Sequence, residues 1–148
     1  MSKRLGFSLA ACTFLALGVS HAQTGPIVSP RVIELTADHD SRYRSEGKVD
    51  PTIEAMPGEP LILRITALRA KEVARDGSVH GLALLNKNLD AVPGWRFYLH
   101  PGVQEVAVTA PNQPGRYTAV CTVICSHMHD GMKFTLIVTG GRSKVSKE

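Results

Sequence analysis

The sequence predicts an all-β sandwich, and three observations carry that expectation. Short runs rich in β-formers are separated by turn residues at regular intervals, several runs alternate apolar and polar positions, and helix signals are sparse. With 148 residues, 43% of them hydrophobic, there is apolar material for one compact domain and too little length for two. Thirteen glycines and nine prolines fit a turn-rich body, and 20% charged residues exclude a disordered chain.

Taken in order, the predicted strands are Arg31 to Thr36, Thr52 to Ala55, Pro60 to Leu68, Val79 to Leu85, Val103 to Thr109, Gly115 to Cys121 and Lys133 to Thr139. Leu61, Leu63 and Ile65 share one face of their strand, as do Phe134, Leu136 and Val138, while Arg64 and Thr135 face away. Turns are marked by Met56-Pro57-Gly58-Glu59, Pro93-Gly94, Pro101-Gly102 and Gln113-Pro114-Gly115. Leu68 to Arg75 holds helix-forming residues and reads as an excursion between two strands.

The N-terminus reads as an address. A basic start at Lys3 and Arg4 leads into a nearly uncharged run from Leu5 to Val19, and Ser20-His21-Ala22 supplies the small residues of a cleavage site, which predicts a signal peptide over 1–22. The run is shorter than the roughly 20 residues that cross a bilayer. Leu9-Ala10-Ala11-Cys12 also resembles a lipobox, but the apolar run continues past Cys12. The expectation is an exported domain over 23–139, soluble in the periplasm or a comparable compartment, with no transmembrane segment, followed by a flexible basic tail over 140–148. Without Lys3 and Arg4 the balance is 15 basic against 13 acidic residues, which is no nucleic-acid footprint.

Export leaves two cysteines, Cys121 and Cys125, too close together for a disulfide that would constrain much chain. They open the densest chemistry in the sequence: from Cys121 to Met132, twelve residues hold two thiols, two histidines and two methionines. Soft thiolate and thioether donors beside imidazole suit copper, whereas a structural zinc site closes with four Cys or His ligands and leaves methionine out. The cluster lies between two predicted strands, which would hold its ligands still when a metal changes oxidation state. A further imidazole is needed, and His80 stands on an apolar strand that a sandwich can bring beside the cysteines. His39 and His100 read as surface residues, and His127 as a loop histidine near the site.

The spacing Cys-x3-Cys-x3-His-x2-Met, realised as Cys121, Cys125, His129 and Met132 with His80 upstream, resembles the dinuclear copper A centre of cytochrome c oxidase subunit II and nitrous oxide reductase. The resemblance runs from about Glu54 to Thr139 and includes Pro114-Gly115-Arg116-Tyr117 ahead of the cysteines. It implies a cupredoxin-like Greek-key β-sandwich and two copper ions, and the residues alone leave mononuclear occupancy open. Cys121 and Cys125 would bridge both ions, His80 and Met132 would complete one, and His129 with the backbone carbonyl of Val123 the other. Bridging thiolates spread one unpaired electron over two metals, so each redox event perturbs either only slightly.

The departures are informative. Oxidase subunits commonly carry Glu at the place of Val123, where it also helps hold a magnesium at the subunit boundary, so that boundary is not expected here. The resemblance covers neither the membrane hairpin of oxidase subunits nor the propeller of nitrous oxide reductase. The interval from His80 to Cys121 is longer than usual, with Asn86 to Pro101 as the surplus. That surplus holds Trp95, Phe97 and Tyr98, read as a loop folded over the core or, alternatively, as an exposed aromatic patch for a redox partner.

The function implied is single-electron transfer without a substrate, the partner being a c-type cytochrome or an oxidase. The alternative is a copper carrier or assembly factor using the same ligands to load a cuproenzyme. Thiol redox chemistry on a thioredoxin fold is the third class, and the absence of a βαβ pattern argues against it.

Overall fold

The computed structural model describes residues 29–140. The expected signal peptide, Cys12 and all of the tail beyond Gly140 lie outside the described residues. Two five-stranded sheets pack face to face. The first has the order β3 (Lys48–Val49), β2 (Tyr43–Ser45), β1 (Arg31–Ala37), β5 (Pro60–Ala67), β8 (Gly102–Thr109). The second has the order β4 (Thr52–Ala55), β10 (Lys133–Val138), β9 (Gly115–Val120), β6 (His80–Leu85), β7 (Ala91–Leu99).

Side-chain alternation sets the inward faces. In β5, Leu61, Leu63, Ile65 and Ala67 are buried, while Arg64 points out and pairs with Glu34 and Glu105 across the neighbouring strands, each at 2.7 Å. β10 alternates in the same way, with Phe134, Leu136 and Val138 buried. Tyr43 meets Phe134 edge to face, with ring centroids 5.4 Å apart, and so joins the two sheets. Most of β6 is buried, because β7 and β9 flank it and loops cover its start.

Both sheets are mixed. β1 runs parallel to β5 from Arg31↔Leu61 to Ala37↔Ala67, and β4 runs parallel to β10 from Thr52↔Thr135 to Val138↔Ala55. Parallel neighbours end together, so the loops after β1 and β5 leave from the same end of the sandwich. The chain enters β6 from that end and passes from β9 to β10 there. The candidate ligands lie in those connections.

Two expectations are corrected. Residues 86–101 are not a loop: the hairpin turn is confined to Asn86–Asp90, where the Asn86 side chain accepts from the N–H groups of Asn88 and Asp90 at 2.8 and 3.0 Å. The chain then returns as β7. Pro93-Gly94 sits inside that strand as a bulge, since Ala83 pairs with Arg96 but Leu85 with Ala91. An edge strand tolerates such an interruption because one side of its backbone is unpaired.

Trp95 is buried, and its Nε1–H donates to the Thr109 carbonyl at 2.8 Å, so it does not belong to an exposed patch; Tyr98 of the same strand is exposed. Leu68 to Arg75 is the expected excursion between two strands, and its helix-forming residues build no helix. Its backbone is drawn into longer-range bonds instead, from Leu68 N to Ala37 O at 2.9 Å and from Glu72 N to Cys125 O at 3.1 Å. Tertiary partners outweigh a few tenths of a kcal/mol of helix propensity per residue. The short strands β2 and β3 had no sequence signal, being only three and two residues long.

Candidate metal centre

The cysteine loop is closed at its base, where Cys121 N donates to Met132 O at 3.1 Å and Lys133 pairs with Val120. Between these points the chain makes one 3-10 turn, His129–Gly131. β6 lies beside β9 with Ala83 opposite Val120, which carries the start of β6 past the cysteines. Gly81 makes the approach possible. A Cβ there would stand 3.1 Å from the Val123 side chain and 3.2 Å from the Thr122 backbone nitrogen, with the Thr122 hydroxyl closer still. The bare backbone instead directs its N–H at Cys121 Sγ, 3.4 Å away.

His80, Cys121 and Cys125 come together as a result, with donor atoms all within 4.8 Å of one another. His80 and Cys125 are fully buried and Cys121 nearly so. The sulfurs stand 3.7 Å apart, far beyond the roughly 2.0 Å of a disulfide and close enough to share an ion. Cys121 Sγ also lies 3.2 Å from the carbonyl oxygen of Val123.

The orientation of His80 is specific. Its Nε2 lies 3.0 Å from the Leu68 carbonyl, which can only accept, so Nε2 carries the proton and Nδ1 a free lone pair. Nδ1 is buried and has no hydrogen-bond partner. An orphaned buried polar atom is costly, and metal-binding histidines characteristically fix the other ring nitrogen on a carbonyl in this way. The donor set therefore fits a soft or borderline metal ion: two sulfurs, one oriented imidazole and a nearby carbonyl.

The electrostatics are asymmetric. The bond to Cys125 and burial push the Cys121 thiol up, while Cys125 is held well below the ordinary thiol range. The bond from Cys121 is the main cause at Cys125; burial opposes it and the contact with Ser41 acts with it.

Met132 is fully buried at the base of the loop. His129 does not join the thiols: its Nδ1 lies 3.0 Å from the Ser126 carbonyl and its Nε2 3.0 Å from Asp130. His127, His39 and His100 are exposed.

Sequence reasoning missed the β1–β2 loop altogether. Ser41 is fully buried there, with Oγ 2.6 Å from Ser126 Oγ and 3.4 Å from Cys125 Sγ. Arg42 donates to Gly131 O at 3.1 Å, and the Tyr43 hydroxyl donates to Gly81 O. The available signal was Asp38-His39-Asp40-Ser41, a polar run that can turn on its own side chains.

No protein-family model and no curated protein matches the chain. Solved structures do. Auracyanin B aligns with 76% of this chain and 91% of its own, at 18% identity and a TM-score of 0.54. A chain of a heme-copper terminal oxidase dimer aligns over 84% of this chain and 76% of its own, at 20% identity and a TM-score of 0.51. The copper protein rusticyanin aligns over 75% and 80%, at 16% identity and a TM-score of 0.50. At these identities the likeness concerns the fold, and the fold is a cupredoxin β-sandwich.

Proposed function

We propose that this chain binds copper at His80, Cys121 and Cys125 and passes single electrons to and from a protein partner. The observation that carries the reading is the His80 ring, which spends its proton on Leu68 and aims an unpartnered nitrogen into a buried space beside two thiols. Copper held by such donors would supply a one-electron couple. The chain's own residues would hold the donors still: β6 fixes His80, and the closed base of the β9–β10 loop fixes the cysteines.

The finer form of the proposal is a dinuclear copper A-like centre. Cys121 and Cys125 would be shared by both ions, with His80 and Met132 as further ligands to one and His129 and the Val123 carbonyl to the other, and the pair would supply a one-electron couple. The sulfur separation and the approach of the Val123 carbonyl support this reading. His129 has to exchange its contacts with Ser126 and Asp130 for the metal. The protein acts after export and removal of 1–22, and its partner is a c-type cytochrome or an oxidase.

Burial of the principal donors favours retention of the metal over its delivery, since a carrier must release its cargo through exposed ligands. The test is the copper content of residues 23–148 together with an electron paramagnetic resonance spectrum. Two coppers per chain and hyperfine coupling to two equivalent nuclei are expected; a one-copper, four-line spectrum would reduce the centre to a mononuclear site. Cys121→Ser and Cys125→Ser should abolish the signal, and His80→Ala and His129→Ala should distort it. Met132→Leu should keep copper at a shifted potential, and Val123→Ala and His127→Ala should change little. Metal that exchanges within minutes would favour the carrier.

A further inference from the structure

Two hydroxyls and a thiol from two distant parts of the chain, Ser41 and Cys125-Ser126, meet in the interior. Ser126 Oγ accepts the N–H of Met128 at 3.0 Å, which fills one side of that oxygen. Its other partner among the described residues is Ser41 Oγ at 2.6 Å. Ser41 Oγ in turn reaches one further group, Cys125 Sγ at 3.4 Å. Ser41 is fully buried and Ser126 is 5% exposed, so water is a poor substitute partner.

Each hydroxyl has one proton to place. If Ser41 donated to Ser126, the Ser126 proton would have no acceptor. The arrangement that satisfies both is Ser126 O–H to Ser41 Oγ and Ser41 O–H to the sulfur of Cys125. The second bond needs a sulfur that accepts, which a metal-bound thiolate does.

The geometry points to Ser41 as a positioning residue that, polarised by Ser126, donates a hydrogen bond to Cys125 and raises the reduction potential of the copper centre. This deepens the function proposed above and rests on it. A donor on a ligating sulfur withdraws charge from the metal and favours the state with one more electron. The backbone shows how firmly Ser41 is held: its φ is +59°, a left-handed conformation uncommon for a side chain other than Gly, Asn or Asp. Ser41 N donates to Asp38 O at 3.2 Å, and Asp38 Oδ1 accepts from the N–H groups of Asp40 and Arg42 at 3.0 and 2.9 Å.

That φ also supplies the control. Ser41→Gly removes the hydroxyl and suits the left-handed backbone, whereas Ser41→Ala removes the same hydroxyl and keeps the backbone strain. The experiment measures the midpoint potential and visible sulfur-to-copper absorption of copper-loaded wild type, Ser41→Gly, Ser41→Ala and Ser126→Ala. It adds the Cβ carbon shifts of Cys121 and Cys125 in the reduced protein without metal.

Both Ser41 variants should shift the redox ratio threefold to tenfold towards the oxidised form, about 30–60 mV downward, with a smaller shift in Ser126→Ala. The Cys125 Cβ should move while that of Cys121 stays. Equal shifts in Ser41→Gly and Ser41→Ala, despite different stabilities, would tie the effect to the hydroxyl. A potential that stays at the wild-type value, or follows melting temperature across the two variants, would overturn the assignment. Failure of the wild type to take up copper would sink the functional reading instead, while the carbon shifts would still report on the contact between Ser41 and Cys125.

Discussion

At His80 and Gly81, two adjacent residues divide the work of bringing β6 to the cysteines. His80 supplies the oriented nitrogen, and Gly81 supplies the absence of a side chain that lets Thr122 and Val123 pass so close. Gly81→Ala should therefore force the ligand loop outward, costing about 1–3 kcal/mol of stability as an overpacking change. It should also displace the N–H that Gly81 directs at Cys121 Sγ and weaken copper binding at least tenfold. Chemical denaturation and copper titration of the variant check both; wild-type affinity in a folded variant would show that the loop can move without consequence.

The sequence exposes Cys121 and Cys125 because they are close neighbours in a chemically dense segment, and His80 because an imidazole is conspicuous on an apolar strand. It conceals Ser41, whose partner Cys125 lies 84 residues away and whose hydroxyl resembles any loop serine until the fold brings them together. The contacts of His129 with Ser126 and Asp130 were likewise unreadable from the ligand spacing alone.

The element that supports the site from the opposite sheet is the β1–β2 loop, and Asp38 holds it in shape. Burial alone would raise the Asp38 carboxyl, but the Arg44 guanidinium and the N–H groups of Arg42 and Asp40 outweigh that effect and hold it below the usual range. A carboxylate depressed on folding stabilises the fold fully above its unfolded value near 3.8 and loses that contribution as pH falls through the lower folded value. Asp38→Asn should cost roughly 1–3 kcal/mol at pH 7, in line with loss of hydrogen bonds to a charged group. The gap to wild type should persist down to about pH 4 and narrow below it. Unfolding curves between pH 7 and pH 2.5 check this, and a gap that widened in acid would show that the loop is held by other bonds.

Among the strands, β5 and β10 were readable because each buries alternate residues against one core. β7 was not, because Pro93-Gly94 looks like a turn and the bulge that accommodates it depends on pairing with β6. The helix-forming residues of Leu68 to Arg75 build no helix for a related reason. Their backbone partners, Ala37 and Cys125, are distant in sequence, and local propensity carries no trace of them.

For the molecule as a whole, the site lies where connections from both sheets converge. Ser41 and Arg42 reach it from the first sheet; His80 and the β9–β10 loop belong to the second; Glu72 ties the β5–β6 connection to Cys125. A metal bound there would hold parts of the chain that unfolding must separate, so binding energy becomes folding energy. With free copper at a hundredfold excess over the dissociation constant, linkage adds about 2.7 kcal/mol. For a domain of this size that corresponds to roughly 10 °C in melting temperature. Calorimetry of the reduced protein with and without copper should show a rise of that order, and a chelator that removes the metal should reverse it. Cys125→Ser should lose most of the rise, because the sulfur that faces both His80 and Cys121 is gone. An equal rise in Cys125→Ser would place the bound copper on exposed imidazoles such as His127 and His39, and the buried donors would then not be the site that copper stabilises.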